Sequence, residues 1–404
     1  MKYIGKNFFI EGVKVRNLAK KFRTPIYCYS YKRLKENISN FKKNFKSLKP
    51  IICFAVKANA NLKLLKEIKK FGLGADVVSL GELTKALKAG IQPKKIVFSG
   101  VGKTSEELSL AINKKILLIN AESRSEILEI ERIAKNKKKI VNIGIRLNPN
   151  TDAKTLSQIS TGKKQDKFGL SEKYFLELVK YVKNSQFIKL KCISVHIGSQ
   201  ILSHQPYEKM LKVIDRIIKK SNYKFEFIDL GGGMGISYSK KSKNLNYKKY
   251  AAAIKKILIK HNTKIIFEPG RSIIGNTAIL VSKIIYIKQG SNKNFVILDA
   301  AMNDLMRPAL YGAEHQIIPE NKNNILTKKT YEFVGPICES TDRFLTAKKF
   351  QKLHEKDLIA ISDVGAYGMS LSSNYNVRLK PAEILIKKHK INVIKKRQKL
   401  KDLI

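Results

Sequence analysis

Four groups in this sequence could make a site: a lysine, a histidine, a glycine cluster and a Glu-Pro-Gly-Arg run, each where a strand gives way to a loop. The stretch Ile51-Ile52-Cys53-Phe54-Ala55-Val56-Lys57-Ala58-Asn59 starts as a run of apolar and β-branched residues and stops at Lys57, ahead of a helical pattern from Asn61 to Lys70. In a sheet wrapped by helices, reactive side chains converge at the carboxyl ends of strands, so Lys57 reads as a ligand or a nucleophile. Its ordinary alternative, in a chain with 80 Lys and Arg, is a solvated charge. Asp229-Leu230 runs into Gly231-Gly232-Gly233-Met234-Gly235, where backbone N–H groups can approach an anion closely; alone, such a cluster is often just a tight turn. Ile266-Phe267-Glu268-Pro269-Gly270-Arg271 adds a carboxylate and a guanidinium at the same rim, both expected to face the phosphate region. Val195-His196-Ile197-Gly198-Ser199-Gln200 supplies an imidazole, either a satisfied core histidine or part of the same mouth. An amine for an imine, backbone donors for a phosphate, a flat group over a ring and an acid for a ring nitrogen are the parts that pyridoxal 5′-phosphate needs.

Positioning these groups requires a particular scaffold. Apolar strand candidates at 51–57, 74–78, 95–98, 116–120, 140–147, 191–196, 225–230 and 264–268 alternate with amphipathic helical patterns such as Leu80 to Ala89, Ser105 to Asn113, Glu122 to Asn136, Glu172 to Lys183 and Tyr247 to His261. Eight such units predict an α/β fold built on a closed (β/α)8 TIM barrel; a doubly wound open sheet is the alternative that the strand count disfavours. In a barrel, the loops after strands seven and eight are the usual phosphate site, which favours that reading of the glycines. Beyond Arg271 the period changes: Ala278 to Tyr286, Phe295 to Asp299, Thr330 to Val334, Leu358 to Ser362 and Ala382 to Ile386 read as strands of a mostly antiparallel β domain. Residues 1–30, with strand-like Lys6 to Ile10 and Pro25 to Tyr29, are expected to join that domain as edge strands. The expected domains are thus a barrel over 31–274 and a β domain of 275–404 with 1–30, ending in a basic surface tail from Lys387 to Lys401.

A chain of 404 residues suffices for both domains. No apolar run is long enough to cross a membrane, and Met1 to Ile10 has no long apolar region or small-residue cleavage pattern, so no export signal is expected. Cys28, Cys53, Cys192 and Cys338 form no metal-binding spacing, so no metal is expected, and a reduced, cytoplasmic protein is. The net charge of +48 would suit nucleic acid if it were clustered, but it runs along the whole chain with no reading module beside it, so neither a nucleic-acid nor a membrane partner is expected.

Taken in order, Phe54-Ala55-Val56-Lys57-Ala58-Asn59, His196-Ile197-Gly198-Ser199-Gln200, Gly231-Gly232-Gly233, Glu268-Pro269-Gly270-Arg271, Cys338-Glu339-Ser340 and Gly365-Ala366-Tyr367-Gly368 resemble the motif series of the diaminopimelate decarboxylases, barrel-type decarboxylases related to alanine racemase. The resemblance spans nearly the whole chain; the combination is specific although each piece alone is not. It implies that Lys57 holds the cofactor and yields it to the substrate amine, that Glu268 keeps the pyridine nitrogen protonated, and that His196 stacks on the ring. It places Ser199, Gly231, Gly232, Gly233, Gly270 and Arg271 around the phosphate, with Tyr367 as a further contact to cofactor and substrate. Racemase relatives set an arginine at the ring nitrogen; a carboxylate there favours electron withdrawal and decarboxylation.

The resemblance further implies that Arg307 and Tyr311, with Arg271, bind the distal carboxylate of the substrate, that Cys338 is the acid that reprotonates carbon, and that Glu339 pairs the distal amine. In the family, Cys338 and Glu339 are delivered by the neighbouring subunit of a homodimer with shared active sites. For Cys338 alone the alternative is a buried small hydrophobe. One departure is in the fifth loop, Asp152 to Gly162, an expected lid, where Leu156 stands in place of the histidine of many members. The implied activity converts the small amino acid meso-2,6-diaminopimelate to L-lysine and carbon dioxide, the last step of lysine biosynthesis. The rivals on this fold are decarboxylases of ornithine, arginine or carboxynorspermidine; Arg307 and Tyr311 disfavour them, since such substrates offer a second arginine nothing to pair. A catalytically dead regulatory relative would be expected to lose Lys57 or the glycine loop, and both are present.

Overall fold

The computed structural model describes residues 1–153, 156–239 and 244–404. Eight parallel strands, Ile51–Ala55, Gly74–Val77, Ile96–Phe98, Leu118–Ala121, Val141–Arg146, Ile188–Ser194, Phe227–Asp229 and Lys264–Phe267, pair each with the next. The eighth returns to the first through Ile266 opposite Ile51 and Phe267 opposite Ile52, closing the expected barrel. Cys53, Val97, Leu118, Cys192, Phe227 and Ile266 fill one layer of it, all but Phe227 wholly buried, so the barrel is a packed core rather than a pore.

Helices follow the strands because the loops carry caps. In three successive loops a hydroxyl caps the helix and an acid three residues on reaches back to the chain before it. Ser79 accepts from Glu82 N–H while Glu82 accepts from Val78 N–H. Thr104 and Glu107 form a reciprocal capping box. Ser123 accepts from Glu126 N–H while Glu126 accepts from Glu122 N–H. Each pair satisfies otherwise orphaned backbone donors and fixes where its helix, Leu80–Lys88, Ser105–Asn113 or Arg124–Asn136, starts. Asn61 and Asn246 cap Leu62–Lys69 and Tyr247–Leu258 in the same manner. Outside the barrel, Phe267 packs with Phe41, Phe45 and Tyr250, ring centroids 4.6 to 6.1 Å away.

The chain divides into two compact units, one of 38–236 with 243–272, the other of 1–37, 237–242 and 273–404. The second holds a nine-stranded sheet. Its strand Ile26–Ser30 runs antiparallel to Ala278–Gln289 on one side and parallel to Ala382–Lys387 on the other. This corrects the edge placement expected of the N-terminal residues: a strand buried along its length, Ile-Tyr-Cys-Tyr-Ser, takes an interior position where both faces are covered. Lys2–Ile4, Asn7–Ile10 and Val13–Lys14 form a separate antiparallel sheet. Phe8, Ile10, Val15, Leu18, Ile26, Ile279, Val281, Ile384 and Ile386 share one apolar cluster. Lys293–Leu298 and Thr330–Val334 are parallel neighbours, and the remaining pairs of the large sheet are antiparallel. Among the described residues no helix is long and apolar enough to cross a membrane.

Candidate active site

The first barrel strand ends at Ala55, and Lys57 sits on the helical turn Val56–Ala58 that follows, not on the strand itself. Gly270 lies so close that a Cβ on it would meet the Cβ atoms of Ala58 and Ala55 at 2.9 and 3.1 Å, while Ala55 N–H donates to Pro269 C=O. The turn carries Lys57 Nζ to 3.1 Å from Asp76 Oδ2 at the end of strand two, with 36% of the lysine side chain exposed and none of the aspartate's. A surface lysine has no such partner; this amine is held at the barrel mouth by a wholly buried carboxylate.

Asp76 belongs to a buried polar layer. Asn120 Nδ2 donates to Asp229 Oδ2 at 2.9 Å and to Ser99 Oγ at 3.2 Å, Ser99 Oγ donates to Glu268 Oε1 at 3.4 Å, and Gly231 N–H donates to Asp229 Oδ1 at 2.9 Å. Burial pushes the Glu268 carboxyl well above the usual carboxylate range, reinforced by the negative charges of Asp229 and Asp76 and opposed by Lys57. Asp229, hydrogen-bonded to Glu268, is raised by burial as well. Both shifts act to keep a proton on the pair to higher pH than an isolated carboxylate would keep it. Glu268 departs from its expected orientation toward the glycine rim. Phe267 points out into the aromatic cluster, so the next side chain in the strand alternation points into the barrel.

The glycines form a cradle. Gly231 and Gly233 have φ of +62° and +85°, and a Cβ on Gly232 would lie 2.2 Å from the Glu268 carbonyl oxygen. Two of the three amides are engaged within the protein, Gly231 by Asp229 and Gly232 by His196 Nδ1 at 3.1 Å. This narrows the expectation that all three bind phosphate: Gly231 and Gly232 shape the cradle, and Gly233 N–H is the one with no protein acceptor among the described residues. Arg271 Nη2 donates to Ser199 Oγ at 3.0 Å on the same rim. Burial, then the positive charges of Lys57 and Arg146, push the His196 imidazole well below its usual pKa, so it is a neutral, flat ring. The structure brings Lys57, His196, Ser199, Gly231, Gly232, Gly233, Glu268, Gly270 and Arg271 to one end of the barrel. Amine, cradle, neutral ring and proton-holding acid fit pyridoxal 5′-phosphate.

In the β unit, the short helix Arg307–Tyr311 has Pro308 near its start and ends at Gly312 with φ of +59°. Arg307 is buried, donates from Nη1 to His315 Nε2 at 2.8 Å and lies 4.5 Å over the Tyr238 ring, while Tyr311 is half-buried. Cys338 is an exposed thiol, which excludes the buried-hydrophobe reading. Its loop is held by buried Asp342, which accepts from Ile337 N–H at 2.8 Å and Met302 N–H at 2.7 Å. Glu339 accepts from Thr341 Oγ1 at 3.0 Å and from Tyr375 Oη. Tyr367 has φ of +57° in a turn whose Gly365 and Gly368 allow no side chain: a Cβ would meet Ile274 O at 2.0 Å or Val364 O at 2.5 Å. Of the fifth-loop segment, Lys154 and Thr155 lie outside the described residues; Leu156 is 50% exposed.

Residues 31–275 match the family model described as the pyridoxal binding domain of pyridoxal-dependent decarboxylases. A diaminopimelate decarboxylase of Helicobacter pylori strain J99 is 42% identical, covering 96% of both chains, and one of Aquifex aeolicus is 40% identical, covering 98% of this chain and 95% of that one. The chain belongs to the diaminopimelate decarboxylase family. A crystal structure of the Helicobacter pylori diaminopimelate decarboxylase complexed with L-lysine superposes with a TM-score of 0.92 at 42% identity, covering 96% of this chain and 98% of that one. For a diaminopimelate decarboxylase sequence, some neighbours of the named residues carry little signal of their own. Asp76, in Gly74-Ala75-Asp76-Val77, and Asn120, in Leu118-Ile119-Asn120-Ala121, read as lone polar residues in strands, while Asp342 and His315 lie among other polar residues that do not single them out. Asp229 was visible at the end of strand seven, but only the fold sets it against Glu268.

Proposed function

We propose that the protein is a carboxy-lyase that converts meso-2,6-diaminopimelate to L-lysine and carbon dioxide with pyridoxal 5′-phosphate as cofactor, the last step of lysine biosynthesis. Family membership supports the reaction. The observation that carries it to this chain is the Lys57 amine 3.1 Å from buried Asp76 at the barrel mouth, beside a Glu268 carboxyl that burial pushes well above the usual carboxylate range. The cofactor, when bound, supplies an aldehyde for the substrate amine and a ring that takes up the electron pair left as carbon dioxide departs.

The residues have distinct tasks. Lys57 would hold the cofactor through its amine and release it to the substrate amine, with Asp76 orienting its Nζ. Glu268, its carboxyl raised by burial and by Asp229, would be placed to share a proton with the ring nitrogen. His196 would cover one ring face without adding charge, and Gly233 N–H, Ser199, Gly270 and Arg271 would hold the phosphate in the cradle of Gly231 and Gly232. Arg307, Tyr311 and Arg271 bind the distal carboxylate, for which guanidinium offers paired donors. Cys338 would supply the proton to the substrate carbon, Glu339 would pair the distal amine, and Tyr367 would contact cofactor and substrate. These roles follow the family pattern, as does a homodimer in which the partner supplies Cys338 and Glu339; the exposure of that thiol supports the reading. We also read 31–274 as the cofactor-binding domain and 275–404 with 1–30 as the β domain. Four free thiols suit a reducing, cytoplasmic setting.

Carbon dioxide release from diaminopimelate, ornithine, arginine and lysine tests the reading. Diaminopimelate should exceed the others by at least about a hundredfold in kcat/KM, the loss when no distal carboxylate is there to accept from the arginines. Ornithine or arginine turned over at a comparable rate would give the protein to its rivals.

A further inference from the structure

Arg307 is almost wholly buried, and a buried guanidinium must be held by hydrogen bonds to point in one direction. His315, itself fully buried, sits between two partners: Ser362 C=O lies 2.8 Å from Nδ1, and Arg307 Nη1 lies 2.8 Å from Nε2. A carbonyl only accepts, so Nδ1 carries the hydrogen; a guanidinium only donates, so Nε2 offers its lone pair. Both contacts are satisfied by one form alone, the neutral imidazole protonated at Nδ1. The Tyr238 ring completes the arrangement, with Arg307 Cζ 4.5 Å over its centroid and His315 edge-on to it at 5.2 Å and 77°. One nitrogen and one face of Arg307 are thereby fixed.

We propose that His315 is the positioning residue that orients Arg307 for the distal carboxylate, a conclusion that rests on the reading of Arg307 as a carboxylate ligand. The residue type matters. An aspartate in that position would hold the guanidinium equally firmly but would neutralise it. A neutral imidazole anchors the group without setting a further negative charge against it. His315 therefore sets the selectivity for a substrate with two carboxylates without touching that substrate.

Steady-state kinetics of His315→Leu, Arg307→Ala and the double variant test this in the holoenzyme. His315→Leu should raise KM for meso-diaminopimelate by roughly tenfold or more, the loss of a buried charge-assisted hydrogen bond, with kcat little changed. In the Arg307→Ala background it should raise KM no further. His315→Gln, whose amide can accept from Arg307 and donate to Ser362, should restore KM toward the wild-type value. If leucine unfolds the β unit, His315→Asn, able to meet Ser362 but too short for Arg307, carries the same expectation. An unchanged KM, an equal rise in both backgrounds, or a fall in kcat alone would overturn the assignment of His315. An unchanged KM in Arg307→Ala would instead remove the carboxylate reading of Arg307, and the proposal with it.

Discussion

Asp304 is buried in the β unit, where desolvation raises its carboxyl from 3.8 to about 7 against the opposing pull of the Ala301 N–H and of Arg378. Its folded pKa thus exceeds its unfolded one, so between about pH 4 and about pH 7 the native state binds the extra proton. The stability this group contributes is fully present below about pH 4 and lost as pH rises through about 7. Asp304→Asn does not titrate, so its stability relative to wild type should improve by on the order of 2–4 kcal/mol from pH 4 to pH 8. Urea unfolding of both proteins at pH 5 and pH 8 measures the difference; a gap independent of pH would mean that the carboxyl is already ionised at pH 5. Legibility at this scale followed local context. Lys57, His196 and Glu268 stand at the ends of apolar runs, where a strand pattern makes a polar residue conspicuous. Asp76 and His315 could not be found that way, because what defines each is a partner distant in sequence: Lys57 for one, Arg307 and Ser362 for the other.

Strands and helices were legible because one face of each must be buried, and the period of apolar residues records which. Ser105–Asn113, Glu172–Lys183 and Thr330–Val334 fall on their expected residues. Strand one was read two residues too long, because Val56 continues the apolar run while the close approach of Gly270 is invisible in sequence. The loop between strand seven and its helix has less tolerance than any periodicity reveals. Gly232→Ala would force a methyl against the Glu268 carbonyl, a backbone atom that can move only with strand eight. The variant should lose about 1–3 kcal/mol of stability and bind pyridoxal phosphate more weakly, as followed by denaturation and by visible absorption on titration. Gly102→Ala, which meets nothing within 4 Å, serves as the control. Equal behaviour of the two would show that the cradle yields cheaply.

For the whole molecule, the proposed sharing of sites between subunits makes a prediction that a single chain cannot. Lys57→Ala and Cys338→Ala proteins, each inactive, should on mixing and subunit exchange recover about a quarter of wild-type activity, since half the dimers are mixed and each carries one intact site. No recovery after exchange demonstrated with labelled subunits would make each site self-contained. Fold class was legible at this scale because eight strand-helix units leave few ways to close a sheet, whereas the interior position of Ile26–Ser30 was not, since pairing partners are not written in a strand's own residues. That strand also bears on the order of synthesis. Ile26–Ser30 leaves the ribosome early, but its neighbours Ala278–Gln289 and Ala382–Lys387 follow only after every barrel strand has been made. The barrel can close while translation continues; the large sheet must wait, with an apolar strand uncovered in the meantime, a natural client for a chaperone.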